Sequence, residues 1–123
     1  MPEILIIYSS TDGHTKIICE RIANSFNNSN IVKVIALPEV TKFDLTKFNQ
    51  IIIGASIRYG KHSKNLYKFI QQNKNILEQK KNVFFSVNVV ARKPEKNKPE
   101  TNPYIKKFLK ISKWTPKKIG VFA

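Results

Sequence analysis

The sequence predicts an α/β fold: a parallel sheet with helices on both faces, a three-layer α/β/α sandwich. Two observations predict it. The apolar runs Ile4–Tyr8 and Val83–Val90 are nearly continuous rather than alternating, as suits strands covered on both sides. Segments with helical spacing stand between the apolar runs, so strand and helix signals alternate along the chain. At 123 residues the sequence suits one domain, residues 1–123, with room for a real core.

Each element follows from its own residues. Ile4–Tyr8 is the first strand, and Ile18, Ile22 and Phe26 give the apolar stripe of a helix over 14–26. Asn27, Asn28, Ser29 and Asn30 end it with turn formers. Ile31–Leu37 is β-branched enough for a second strand, closed by Pro38. Residues 39–49 form a polar connector anchored by Val40, Phe43, Leu45 and Phe48. Gln50–Ile53 is a third strand, running into Gly54 and Ala55, small residues that leave room for something to approach the backbone. Helical spacing returns at Leu66, Phe69, Ile70, Asn73 and Leu77. Val83–Val90 makes the fourth strand, and residues 91–100 a charged loop with two prolines. Asn102 reads as an N-cap with Pro103 in the first helical position, and Ile105, Phe108 and Leu109 supply that helix's apolar side. The Trp114-Thr115-Pro116 segment breaks it, and Ile119–Ala123 opens a fifth strand.

The chemistry concentrates in Ser9, Ser10, Thr11, Asp12, Gly13, His14 and Thr15, between the first strand and the first helix. The first N–H groups of a helix have no partner within it and carry the positive end of its dipole. Hydroxyls at Ser9, Ser10, Thr11 and Thr15 add donors, and Gly13 lets the backbone approach an anion closely. No Lys or Arg falls within these seven residues, which suits a monophosphate held by neutral donors. The stretch matches neither the Gly-Lys-Ser/Thr triphosphate loop nor Gly-x-Gly-x-x-Gly. An N-cap alone would use the same residue types. What separates the two readings is convergence. In a parallel sheet wound 2-1-3-4-5, this turn, the Gly54–Gly60 segment and the charged loop all lie at the strands' carboxyl ends, where ligands bind.

Composition bounds the rest. The single Cys19 excludes an internal disulfide and reads as a buried structural thiol. One Cys and two His offer no metal-ligand cluster. The formal charge of +14 has two open readings: attraction to the phosphates of nucleic acid or of an anionic membrane surface, or a Lys-, Asn- and Ile-rich coding bias. Basic residues are dense at 92–98 and 106–118 but are not interleaved with aromatics, and no nucleic-acid signature is present. No membrane-spanning run and no signal pattern occurs.

The Ser9–Thr15 turn resembles the flavin mononucleotide (FMN) phosphate loop of flavodoxins, with Asp12 where many carry threonine. Two further blocks, Ile53–Gly60 and Ser86–Lys96 continuing through Thr101, Asn102, Tyr104 and Lys107–Leu109, resemble the flavodoxin-like, quinone-dependent protoporphyrinogen dehydrogenases of haem synthesis. This resemblance covers essentially the whole chain. It implies FMN-dependent oxidation of protoporphyrinogen IX, with electrons passed to menaquinone or ubiquinone, by a cytoplasmic protein peripheral to the inner membrane. The phosphate would meet Thr11 to Thr15, with Ser9 and Ser10 close by. The isoalloxazine would lie between Ser56, Ile57, Arg58, Tyr59 and Gly60 on one side and Ser86, Asn88, Val89 and Arg92 on the other.

Arg58, Arg92 and Lys93 would face the substrate's propionates, or else are solvated loop charges. No catalytic side chain is assigned, because the flavin carries the chemistry. His14 would donate to the phosphate or face solvent, and His62 has no evident partner. The resemblance also implies a last helix after the fifth strand, missing here, whose absence would expose a flank of strand one or its neighbours at about 25 cal/mol per Å². A soluble flavodoxin-type electron carrier and an inactive relic are the alternatives. Such carriers are usually acidic, unlike this chain.

Overall fold

A computed structural model describes residues 2–10, 13–57 and 60–122, with the backbone alone at Val89 and Val90. Thr11, Asp12, Arg58, Tyr59 and Ala123 lie outside the described residues. Five strands, β1 (Glu3–Ser9), β2 (Ile31–Ala36), β3 (Gln50–Ser56), β4 (Lys81–Val87) and β5 (Lys118–Phe122), form one sheet in the order β2-β1-β3-β4-β5. Every pairing is parallel. The helices are α1 (Gly13–Ser25), α2 (Lys64–Gln79) and α3 (Pro103–Ser112).

The apolar runs do what continuous burial requires. In β1, Leu5 and Ile7 join a core built with Leu66, Phe69 and Ile70 of α2 and Phe108 of α3. Ile4 and Ile6 face the opposite side, with Ile18 and Cys19 of α1. Strand alternation therefore splits one hydrophobic run between two cores. The connector anchors hold as read: Leu45 and Phe48 are buried, and Val40 and Phe43 pack against the α2-side core.

Four readings need correction. The fourth strand is Lys81–Val87, not 83–90, because Asn88 turns the chain: both its carbonyl and its Oδ1 accept from Ala91 N–H, starting a 3-10 turn over Val89–Arg92. An Asn side chain bonding its own backbone competes with a sheet ladder. The third strand runs on to Ser56. The room at Gly54 serves the protein's own Phe85, whose ring would lie 2.2 Å from a Cβ built there. Finally, the flank of strand one is not exposed, since Ile4, Leu5, Ile6 and Ile7 are all at most 3% exposed. Phe85 lies down over Gly54 and meets Phe122 edge-on at 5.3 Å, and the exposed large apolar side chains on strands are Ile31 of β2, strand one's neighbour, and Phe122 of edge strand β5.

Helix ends follow their residues. Ser63 caps α2 through a hydroxyl accepting from Asn65 N–H, and Asn102 Oδ1 caps α3 by accepting from Tyr104 and Ile105. Asn73 interrupts α2 with non-helical φ −121° and ψ 16°, and its amide donates to Phe69 O. Lys113, at φ 54°, closes α3 in the left-handed region before the buried Trp114.

Candidate functional site

The strands' carboxyl ends bring together Ser9 and Ser10 after β1, Ser56 and Ile57 after β3, and Ser86 and Asn88 at the end of β4. Parallel registry aligns Ser9 with Ala55 and Ser56 with Val87, so the ends are level and the loops leave one edge. Two regions of that edge differ in how their polar groups are used.

At the β1–α1 junction, Thr15 is fully buried in the first turn of α1, yet its Oγ1 has no hydrogen-bond partner among the described residues. An orphaned buried hydroxyl costs on the order of 1–3 kcal/mol unless something binds it. A Cβ built on Gly13 would meet nothing within 4 Å, so the backbone there is open to approach. His14 is exposed. Ser56 Oγ donates to Ser10 Oγ at 3.1 Å, tying the ends of β3 and β1. The residues present fit a phosphate: a buried unpaired hydroxyl, a helix N-terminus and open backbone. Cys19, deeper in α1, is fully buried, and burial with the nearby Glu20 carboxylate pushes its thiol up to about 12. It is no nucleophile.

At the end of β4, polar groups are instead spent on one another. His62 Nε2 lies 2.9 Å from Ser86 Oγ, which also accepts from Asn88 Nδ2 at 3.0 Å. Asn102 Nδ2 donates to Asn88 Oδ1 at 3.0 Å and to Lys96 O at 2.9 Å. The network joins the segment before α2, the end of β4, the charged loop and the cap of α3. His62 therefore has a partner, contrary to its sequence reading. Its ring also meets Phe84 and Phe108 edge-on, each at 5.7 Å. Burial first, and the Lys107 charge second, lower its pKa to about 4, so it is neutral. A legible signal existed: Ser86 and Asn88 are two residues apart in an apolar run, hence on one face.

Arg92 and Lys93 are exposed on the loop beyond. Beside the same carboxyl edge, on the α2 side of the sheet, lies a cavity of about 580 Å³. It opens between the 3-10 turn Leu37–Lys42 and the first half of α2, and reaches Ser9, Ser10 and Ser56. Neither Arg92 nor Asn88 lines it.

A family model described as "Flavodoxin domain" matches residues 5–123. The chain belongs to the flavodoxin domain family. This flavodoxin-domain chain is 40% identical over 124 residues to a Leishmania major protein named protoporphyrinogen IX dehydrogenase (quinone), covering 99% of this chain and 54% of that protein. It is 36% identical over 120 residues to the Escherichia coli protein of the same name, covering 97% of this chain and 66% of that one. It thus spans 54–66% of the length of these curated relatives. Solved structures share the fold. A Lactobacillus acidophilus flavoprotein in complex with FMN superposes with TM-score 0.65 at 15% identity, over 98% of this chain and 93% of that one. An archaeal flavodoxin gives 0.63 at 21% identity, over 97% and 82%. Among the described residues of this flavodoxin domain, no helix is long and apolar enough to cross a membrane.

Proposed function

We propose that this chain binds FMN at the β1–α1 junction and oxidises protoporphyrinogen IX to protoporphyrin IX, with a quinone as electron acceptor. The observation that carries the reading is identity of 36–40% to proteins named for that reaction, spread over 97–99% of this chain. The site supports it independently. Thr15 and the first amides of α1 would hold the phosphate, with Ser9, Ser10 and the 11–14 residues around it. The segments after β3 and β4, Ser56–Gly60 and Ser86–Arg92, would flank the ring system.

FMN, when bound, supplies the redox chemistry by taking electrons from the substrate and releasing them to the quinone. The protein's own residues position, shield and orient. The His62–Ser86–Asn88–Asn102 network holds the end of β4 to the segment before α2 and to the cap of α3, which fixes the spacing of the two flanking loops. The +14 charge suits a protein that rests on an anionic membrane where quinone resides.

Two measurements test this. Titration with FMN should quench the flavin's fluorescence and saturate at one equivalent. Anaerobic mixing of the loaded protein with protoporphyrinogen IX and a menaquinone or ubiquinone analogue should then produce porphyrin fluorescence, with the Escherichia coli relative as positive control. Flavin binding without turnover would overturn the enzyme reading in favour of an electron carrier. A protein that gains nothing from FMN would overturn both.

A further inference from the structure

Three lysines share the rim of the cavity beside α2: Lys61, Lys64 and Lys68. No acidic residue lines it, and none of the three lysines is in an ion pair among the described residues. Lys64 and Lys68 stand four apart on α2, where like charges face one another and cost the helix a few tenths of a kcal/mol. The chain accepts this repulsion beside an apolar wall that includes Leu37, Val40 and Phe69. The positive end of the α2 dipole, at Lys64, adds to the same field. A cationic rim over an apolar wall selects a ligand that is greasy in its body and anionic at its edge.

We propose that this cavity is the seat of an apolar macrocycle bearing carboxylates, and that Lys61, Lys64 and Lys68 fix its carboxylates. The identity of that molecule, the porphyrinogen with its two propionates, rests on the function proposed above. The cavity reaches Ser9, Ser10 and Ser56, so a ligand in it lies beside the phosphate junction while leaving the first turn of α1 free. The lysines that receive the propionates are then on α2 and the segment before it, rather than Arg92 and Lys93 of the charged loop.

The test uses protoporphyrin IX and its dimethyl ester as probes, alongside FMN, with binding followed by fluorescence. The double variant Lys64→Ala/Lys68→Ala changes exposed side chains and is expected to keep the fold. It should weaken protoporphyrin IX about tenfold, reduce the salt dependence of that binding, leave the diester within about twofold, and leave FMN within about twofold. Val40→Trp, which fills the cavity, should weaken both porphyrins and spare FMN. Porphyrin affinity indifferent to both variants would overturn the proposal. So would loss of FMN in Val40→Trp with the porphyrins unaffected, which would hand the cavity to the flavin. Lysine-sensitive porphyrin binding in a protein that never binds FMN would uphold the cavity and overturn the flavin reading.

Discussion

The two polar clusters at the sheet's carboxyl edge are built from similar residues and end in opposite states. At the end of β4, His62, Ser86, Asn88 and Asn102 are all at most 5% exposed and all bonded to one another or to nearby backbone. At the β1–α1 junction, Thr15 is equally buried and its hydroxyl has no partner among the described residues. A satisfied buried network contributes to the fold, whereas an unsatisfied group is a debt that a ligand can cancel. Burial of polar residues therefore does not mark a binding site by itself. What marks it is polar capacity left unused. The other buried orphan among the described residues, Trp114 Nε1, sits in the core beside Phe108 and away from the edge.

The largest effect that would break this contrast lies at Gly54. If the space there served a ligand, a methyl group would harm binding and spare the fold. The Phe85 ring at 2.2 Å from a built Cβ predicts instead that Gly54→Ala loses about 3 kcal/mol, read as a lower denaturant midpoint.

The filled network is next. His62 has its pKa lowered from an ordinary value of 6.5 to about 4, chiefly by burial. As pH falls, the unfolded chain takes up this proton first. Its contribution to stability is thus complete above about pH 6.5 and is lost as pH falls towards 4, by about 3 kcal/mol in all. Unfolding curves at pH 7.5 and 4 should show this loss, and His62→Gln should remove it from the difference between the two. Equal pH dependence in the variant would mean that the imidazole is not buried as described.

Asn102 serves α3 as cap and the network as bridge, so Asn102→Ala should cost about 2 kcal/mol without changing FMN affinity beyond what unfolding explains. Thr15→Val is the reverse case and the smallest in stability. Removing an unpaired buried hydroxyl should raise the stability of the flavin-free protein by about 1 kcal/mol, the penalty it relieves, while FMN affinity falls about tenfold. A large stability loss with unchanged flavin affinity would erase the distinction between the two clusters.

Much of this was legible in the residues themselves. The Ile4–Tyr8 run announced a strand covered on two sides, Asn102-Pro103 announced a helix start, and Val40, Phe43, Leu45 and Phe48 announced the connector's anchors. Each of those signals is carried by neighbours in the chain. Asn88 shows the limit. Its place in an apolar run suggested that the strand continued to Val90, but its side chain turns the backbone at Ala91. Gly54 shows another, since its smallness could have served a ligand or a partner side chain. Only the 85th residue, one strand over, decides which.

By itself, the sequence determined the order of strands and helices, the Asn102 cap of the last helix, and the hydroxyl-rich turn at the first junction, because periodicity and turn chemistry act within a few residues. Tertiary structure decided which polar groups were spent. His62 found Ser86 across 24 positions of chain, and Asn88 found Asn102 across 14, while Thr15 found no partner among the described residues. Hydrogen-bond satisfaction depends on what the fold brings within about 3 Å, and no local pattern encodes that.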